Sequence, residues 1–151
     1  MRILTIIMLL ASLLCHHSAS AAEGPWLEQD MVKMRLISAV ETSGAPEELS
    51  QELSKKRLSL GLEVHLKDNW KTYWRTPGDA GLAPQIFLDP IALAGAKADL
   101  KFPLPKRFSL FDLDTFGYGK RVIFPIDLTL AYPQQAYDIK MMVDMLVCDD
   151  I

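Results

Sequence analysis

The sequence predicts an all-β chain: an immunoglobulin-like antiparallel β-sandwich following a cleaved signal peptide. Three observations point there. Several segments alternate apolar and polar residues with the two-residue period of a half-buried strand. Clusters of Pro, Gly, Asn and Asp separate them, each favouring a turn for its own steric reason. No segment past the leader carries a long helical period. Six or seven strands joined by turns make a sandwich the economical way to bury their apolar faces.

The leader comes first in the chain. Arg2 supplies a positive start, "ILTIIMLLASLLC" an apolar run and "SASAA" small residues for cleavage. This is the pattern of a secretory signal peptide, too short and wrongly flanked for a membrane-spanning helix. Ala19 and Ala21 set the cut after Ala21, giving residues 1–21 as signal peptide and 22–151 as one domain. Leu14 is not the small residue that a lipid anchor on Cys15 requires. Of the 151 residues 50% are hydrophobic and 23% charged, which suits a folded core rather than disorder. The net charge of −3, with no basic run, excludes nucleic acid as a partner. Cleavage removes Arg2, Cys15, His16 and His17, leaving 15 basic against 19 acidic residues, with His65 and Cys148 the single residues of their kinds. Disulfides persist beyond the membrane, so a lone thiol there is notable.

In "MVKMRLISAV", Val32, Met34 and Leu36 alternate with Lys33, Arg35 and Ile37, the first strand. Residues 42–56 lose the period around Pro46 and read as a loop with one helical turn. The next strand alternates most clearly. Leu58, Leu60, Leu62, Val64 and Leu66 form its buried face, and Ser59, Gly61, Glu63, His65 and Lys67 its wet face. It runs into an aromatic corner of Trp70, Tyr73 and Trp74, a rigid "TPGDAG" loop and a second apolar run, "PQIFLD". "KADLKF" is a short strand. "PLPKRFSLFDLDTFGYGK" reads as loop, because Pro103 and Pro105 lack ladder donors and Gly117 and Gly119 bracket Tyr118. Val122 to Ala131 is a long strand in which Pro125 argues for an edge position or a bulge. The last strand runs from about Tyr137, with Ile139, Met141, Val143, Met145 and Val147 on one face.

Cys148 is the first candidate for chemistry. It shares parity with Lys140, Met142, Asp144 and Leu146, on the less buried side at the strand's exit. Its plain alternative is a small apolar filler. Asp149 and Asp150 place negative charge beside it, which disfavours thiolate and favours a disulfide over two thiolates, the bias of a reductant. Trp70, Tyr73 and Trp74 read as an aromatic plug, with a sugar-stacking platform as the alternative. His65 reads as an exposed residue rather than a ligand. Met141 and Met145 face away from Met142 and Cys148, so these soft donors do not converge on a Cu(I) site. "GDAG" and "FGYG" lack the strand-to-helix context of phosphate loops and read as turns. No cofactor or metal site is predicted, and no Ser/His/Asp set supports a hydrolase.

"GLEVHLKDNWKTYWRTPGDAGLAPQIFLD", "FPLPKRF", "FGYGKRVIFPIDL" and the closing "MLVCDD" resemble the periplasmic N-terminal region of the DsbD-type thiol:disulfide reductases. The likeness is strongest to the suppressor-of-copper-sensitivity (ScsB-like) branch. It covers the chain from about Met31 onward, and "WKTYWRTPGDAG" is its most specific run. The resemblance implies an immunoglobulin-like sandwich in the periplasm carrying a redox-active cysteine pair. It also implies electrons passing from cytoplasmic thioredoxin, through a membrane domain, to a thioredoxin-like domain and thioredoxin-like periplasmic proteins. Cys148 matches the first cysteine of the pair. The second is expected directly after "CDDI", so the 151-residue chain is expected to be a truncated domain, inactive by itself as a reductase. The alternative is a non-catalytic periplasmic sandwich that binds other molecules, linked to copper stress.

Overall fold

The computed structural model describes residues 22–38, 57–110, 112–132 and 138–149. The leader, the 42–56 loop, Asp150 and Ile151 lie outside the described residues. Twelve strands form among those described: β1 (Ala22–Glu23), β2 (Leu27–Gln29), β3 (Val32–Ser38), β4 (Arg57–Leu66), β5 (Lys71–Gly78), β6 (Gln85–Leu88), β7 (Lys97–Leu100), β8 (Lys106–Leu110), β9 (Leu113–Gly119), β10 (Arg121–Thr129), β11 (Met141–Asp144) and β12 (Val147–Cys148). Part of the excess over the expected six or seven is β1, β2 and β12, pieces of two or three residues too short for alternation to show, and the rest includes β8 and β9 in a stretch that reads as loop.

All pairings are antiparallel. One sheet runs β1-β3-β4-β10-β7, with β2 also on β3, a second runs β12-β5-β9-β8, and β11 pairs with β6 alone. This is an all-β, immunoglobulin-like sandwich, as the strand pattern predicts. Its core is built from the alternating faces. Leu62, Val64 and Leu66 of β4, with Val122, Phe124 and Ile126 of β10, are buried together with Val32 and Tyr118. The Phe124 ring meets Tyr118 and Phe102 edge-on, at centroid distances of 5.1 and 5.7 Å. A smaller cluster of Leu58, Leu93, Leu128 and Leu130 closes one end.

The expected wet face of β4 is buried at its centre. Ile37 and Ile123, from the flanking strands, crowd Gly61 so closely that an added Cβ would meet both side chains. Glu63 is only 3% exposed, and its carboxylate is the hub of a charged network. Oε2 accepts a hydrogen bond from Arg35 Nε at 2.8 Å, and Oε1 accepts one from Arg121 Nε at 2.8 Å. His65 Nε2 lies 2.8 Å from the same Oε1. Arg35 also pairs with Glu23, which ties β1 down. Trp26 packs edge-on to His65 at 4.9 Å and lies beneath the Arg35 guanidinium at 4.4 Å. His65 is therefore half-buried and paired rather than simply exposed. Alternation alone cannot show this, because the cover comes from neighbouring strands.

Three further expectations change. Pro125 sits in a strand flanked on both sides, in unbroken register opposite Gly61, not at an edge or a bulge. Pairing with β7 covers only Ile126–Thr129, and the Pro125 carbonyl accepts from Lys101 N at 2.8 Å. In an antiparallel strand the N and C=O of one residue point the same way. The missing donor thus falls at the end of the β7 ladder, where it forgoes only the reciprocal bond to the Lys101 carbonyl. Second, most of the 103–120 stretch is not loop. Its prolines precede β8, and β8 and β9 pair from Lys106↔Gly117 to Leu110↔Leu113 across a turn with Asp112 at φ 63°. Gly117 serves close approach rather than a turn: a Cβ there would come within 3.0 Å of the Thr72 carbonyl. Third, Tyr73 and Trp74 of the aromatic corner and the first residues of "TPGDAG" belong to β5, while Trp70 just precedes it and Asp79 onward is loop.

Candidate functional site

The expected last strand is broken, and the break places the thiol. β11 pairs with β6, the chain leaves that pairing at Met145 and Leu146, and β12 then joins the edge of a different sheet beside β5. Two bonds hold this crossing. Buried Thr72 donates from Oγ1 to the Leu146 carbonyl at 3.0 Å. Lys71 Nζ reaches the Asp149 carbonyl at 3.5 Å. Replacing Thr72 by valine keeps the shape and removes the first bond, so thermal unfolding should show a loss of about 1 kcal/mol. An unchanged midpoint would show that the bond does not anchor β12.

Cys148 is a free thiol, half-buried at the end of β12. Its register partner is Lys71, and two residues along β5 on the same face stands Tyr73. Tyr73 is 3% exposed. Burial pushes its hydroxyl well above the ordinary tyrosine range, and the neighbouring Cys148 adds to the effect. Tyr73 is held from its other side by Gly81, at φ +108°, where an added Cβ would lie within 3.0 Å of the ring. Gly78, at φ +96°, meets the Asp114 carbonyl just as closely. Asp79 latches the loop to β9: its N donates to Asp114 O at 2.9 Å, and its Oδ2 accepts from Asp114 N at 2.8 Å. The "WKTYWRTPGDAG" run therefore builds a rigid seat for the thiol.

The other candidates divide between core and surface. Trp70 and Trp74 are half-buried and pack against the core, the plug arrangement, with Arg75 over the Trp74 ring at 4.8 Å. Met141, Met145 and Val147 also pack inward, while Met142 is 66% exposed. The methionines do not gather around Cys148. His65 belongs to the Glu63 network on the other sheet. Lys71, Thr72, Tyr73 and Gly81 are the site residues that sequence reasoning did not attach to Cys148. They lie more than sixty positions away, and only the β12–β5 register joins them. The cation of Lys71 also makes the thiol's surroundings less one-sidedly acidic than Asp149 and Asp150 suggest.

Residues 43–151 match the family described as thiol:disulfide interchange protein DsbD, N-terminal. The chain belongs to this family. Among solved structures it is similar to the N-terminal periplasmic domain of ScsB from Proteus mirabilis, at 27% identity and a TM-score of 0.63. That match covers 87% of this chain and 47% of the other, so the chain spans about half the length of the structure it resembles. No curated protein sequence matches it. The chain is thus a domain of the DsbD N-terminal type. "WKTYWRTPGDAG" lies wholly inside the matched region, as does Cys148.

Proposed function

We propose that this chain, exported by residues 1–21, is a periplasmic thiol–disulfide exchange domain in which Cys148 is a redox thiol. One observation carries the reading. In a DsbD N-terminal chain, the thiol after the leader sits on a short edge strand, in register with the Gly81-clamped strand β5 and half open to solvent. A filler cysteine needs none of this. The Cys148 thiolate attacks one sulfur of a thioredoxin-like partner's disulfide. The partner's S–S bond breaks, a Cys148–partner disulfide forms, and the partner's other sulfur leaves as thiolate. A second thiol must then release Cys148. With Cys148 its one thiol, the chain comprising residues 22–151 performs the capture step once and does not turn over.

Capture tests this directly. A thioredoxin-like domain reduced to its single attacking cysteine is loaded with thionitrobenzoate and mixed with residues 22–151. One equivalent of the coloured anion should leave, and a one-to-one complex sensitive to dithiothreitol should form. Cys148→Ser should give neither. If the native protein yields no complex while its thiol still reacts with a small disulfide reagent, Cys148 is not a partner-facing redox thiol.

A further inference from the structure

The first half of β10 has an open edge. Lys120, just before β10, accepts from Leu66 N at 2.7 Å, so the even-numbered residues turn their N–H and C=O toward β4. Arg121, Ile123 and Pro125 turn theirs the other way. β7 fills that side only from Ile126 to Thr129, with one further bond from Lys101 N to the Pro125 carbonyl. The chain then crosses to the other sheet, where β8 begins at Lys106. Pro103 stops the ladder, because it has no N–H and its carbonyl accepts from the Tyr118 hydroxyl at 2.7 Å. No described strand pairs with Arg121 or Ile123 on this side. The gap left is a groove of about 400 Å³, lined by Pro103, Leu104, Lys106, Tyr118, Arg121 and Ile123 among others.

The walls of the groove give the chemistry of its occupant. Leu104 is 94% exposed and stands between Pro103 and Pro105, whose rings restrict the backbone on both sides of it. Lys106 and Arg121 are the charged residues of the lining, and no acid stands with them. Glu63 divides one negative charge among Arg35, Arg121 and His65, so Arg121 keeps positive charge to offer outward. An open strand edge is a template for a further strand, a recurrent mode of peptide recognition. We propose that this groove binds an extended, acidic and apolar segment of another protein as an added strand on β10. The segment's backbone pairs with Arg121 and Ile123, its apolar side chains cover Leu104, and its carboxylates reach Lys106 and Arg121. The thiol takes no part, so the exchange reading and this one stand or fall separately.

Two capped peptides test this on ¹⁵N-labelled residues 22–151: acetyl-SEVDVTE-amide and its basic counterpart acetyl-SKVKVTK-amide. At millimolar concentration the acidic peptide should move the amide resonances of Leu104, Lys106, Arg121 and Ile123, and the basic one should not. Salt should weaken the binding. Strand addition also leaves its own pattern in amide exchange. Bound peptide should slow exchange at Arg121 and Ile123 and leave Val122 and Phe124, already turned to β4, unchanged. Leu104 and Lys106 are both exposed, so the double variant L104E/K106E keeps the fold and should bind about tenfold more weakly or worse. Cys148→Ser should bind as wild type does. Equal binding of the two peptides, no response at Arg121 and Ile123, or shifts centred instead on exposed Phe87 and Met142 would each overturn the proposal. So would slower exchange at Ile123 that grows with protein concentration alone, which would make a second copy of the chain the occupant.

Discussion

Replacing Glu63 with glutamine should lower the thermal midpoint by roughly 6–8 °C at neutral pH and flatten the acid limb of the stability curve. The Glu63 carboxyl is held down at about 2 from the ordinary 4.5 by His65 first, then by Arg35 and Arg121, against the opposing effect of burial. A carboxylate depressed in the folded state stabilises it fully above the unfolded value. That stabilisation is lost as pH falls from about 4.5 through about 2. Full linkage over such a shift amounts to about 3 kcal/mol, and solvent near the half-exposed Arg121 end reduces it to about 2 kcal/mol. Glutamine preserves the volume and some of the hydrogen bonding but not the charge, leaving Arg121 without this carboxylate and Arg35 with Glu23 alone. Chemical denaturation of both proteins from pH 7 to pH 2 decides the matter. Wild type should lose stability more steeply than the variant across that window, and parallel curves would show that the network does not carry the acid dependence.

Gly81→Ala should cost about 3 kcal/mol and open the thiol site together with its seat. The backbone at φ +108° suits glycine, and a side chain there adds about 1–2 kcal/mol of strain. The new methyl would also meet the buried Tyr73 ring rather than a flexible side-chain end, an overpacking cost of about 1–3 kcal/mol. Relief requires either the ring or the loop to move. Both movements loosen the strand that β12 sits on, so alkylation of Cys148 should accelerate at neutral and alkaline pH alike. Urea denaturation and the alkylation profile measure the two effects. A variant within half a kcal/mol of wild type, alkylated at the same rate, would mean that Gly81 does not clamp the ring.

Wherever one strand's own pattern held the information, the sequence could be read correctly. The apolar parity of β4 and β10 announces the core, and Leu62, Val64, Phe124 and Ile126 lie in it. The parity read for the last strand does not carry to Cys148, because the chain changes sheets at Met145 and Leu146. Errors arose where a residue answers to a neighbour. Gly117 reads as a turn former, yet its lack of a Cβ admits the Thr72 carbonyl across the sheet. Pro125 reads as an edge or bulge marker, yet it sits beside the point where β7 stops. Glu63 has the parity of a solvated residue, yet Arg35 and Arg121 close over it.

The sequence by itself determined the fold class, the family through "WKTYWRTPGDAG", and Cys148 as the residue of interest. These follow from local periodicity, turn chemistry and a residue type whose reactivity is intrinsic. Only the tertiary structure decided what surrounds the thiol. The chain leaves the β11–β6 pairing and lands as β12 on β5, which sets Lys71 across from Cys148 and Tyr73 two residues along the same strand. Register between strands this distant is chosen by the whole packed sandwich, because each ladder bond is local in space and remote in sequence.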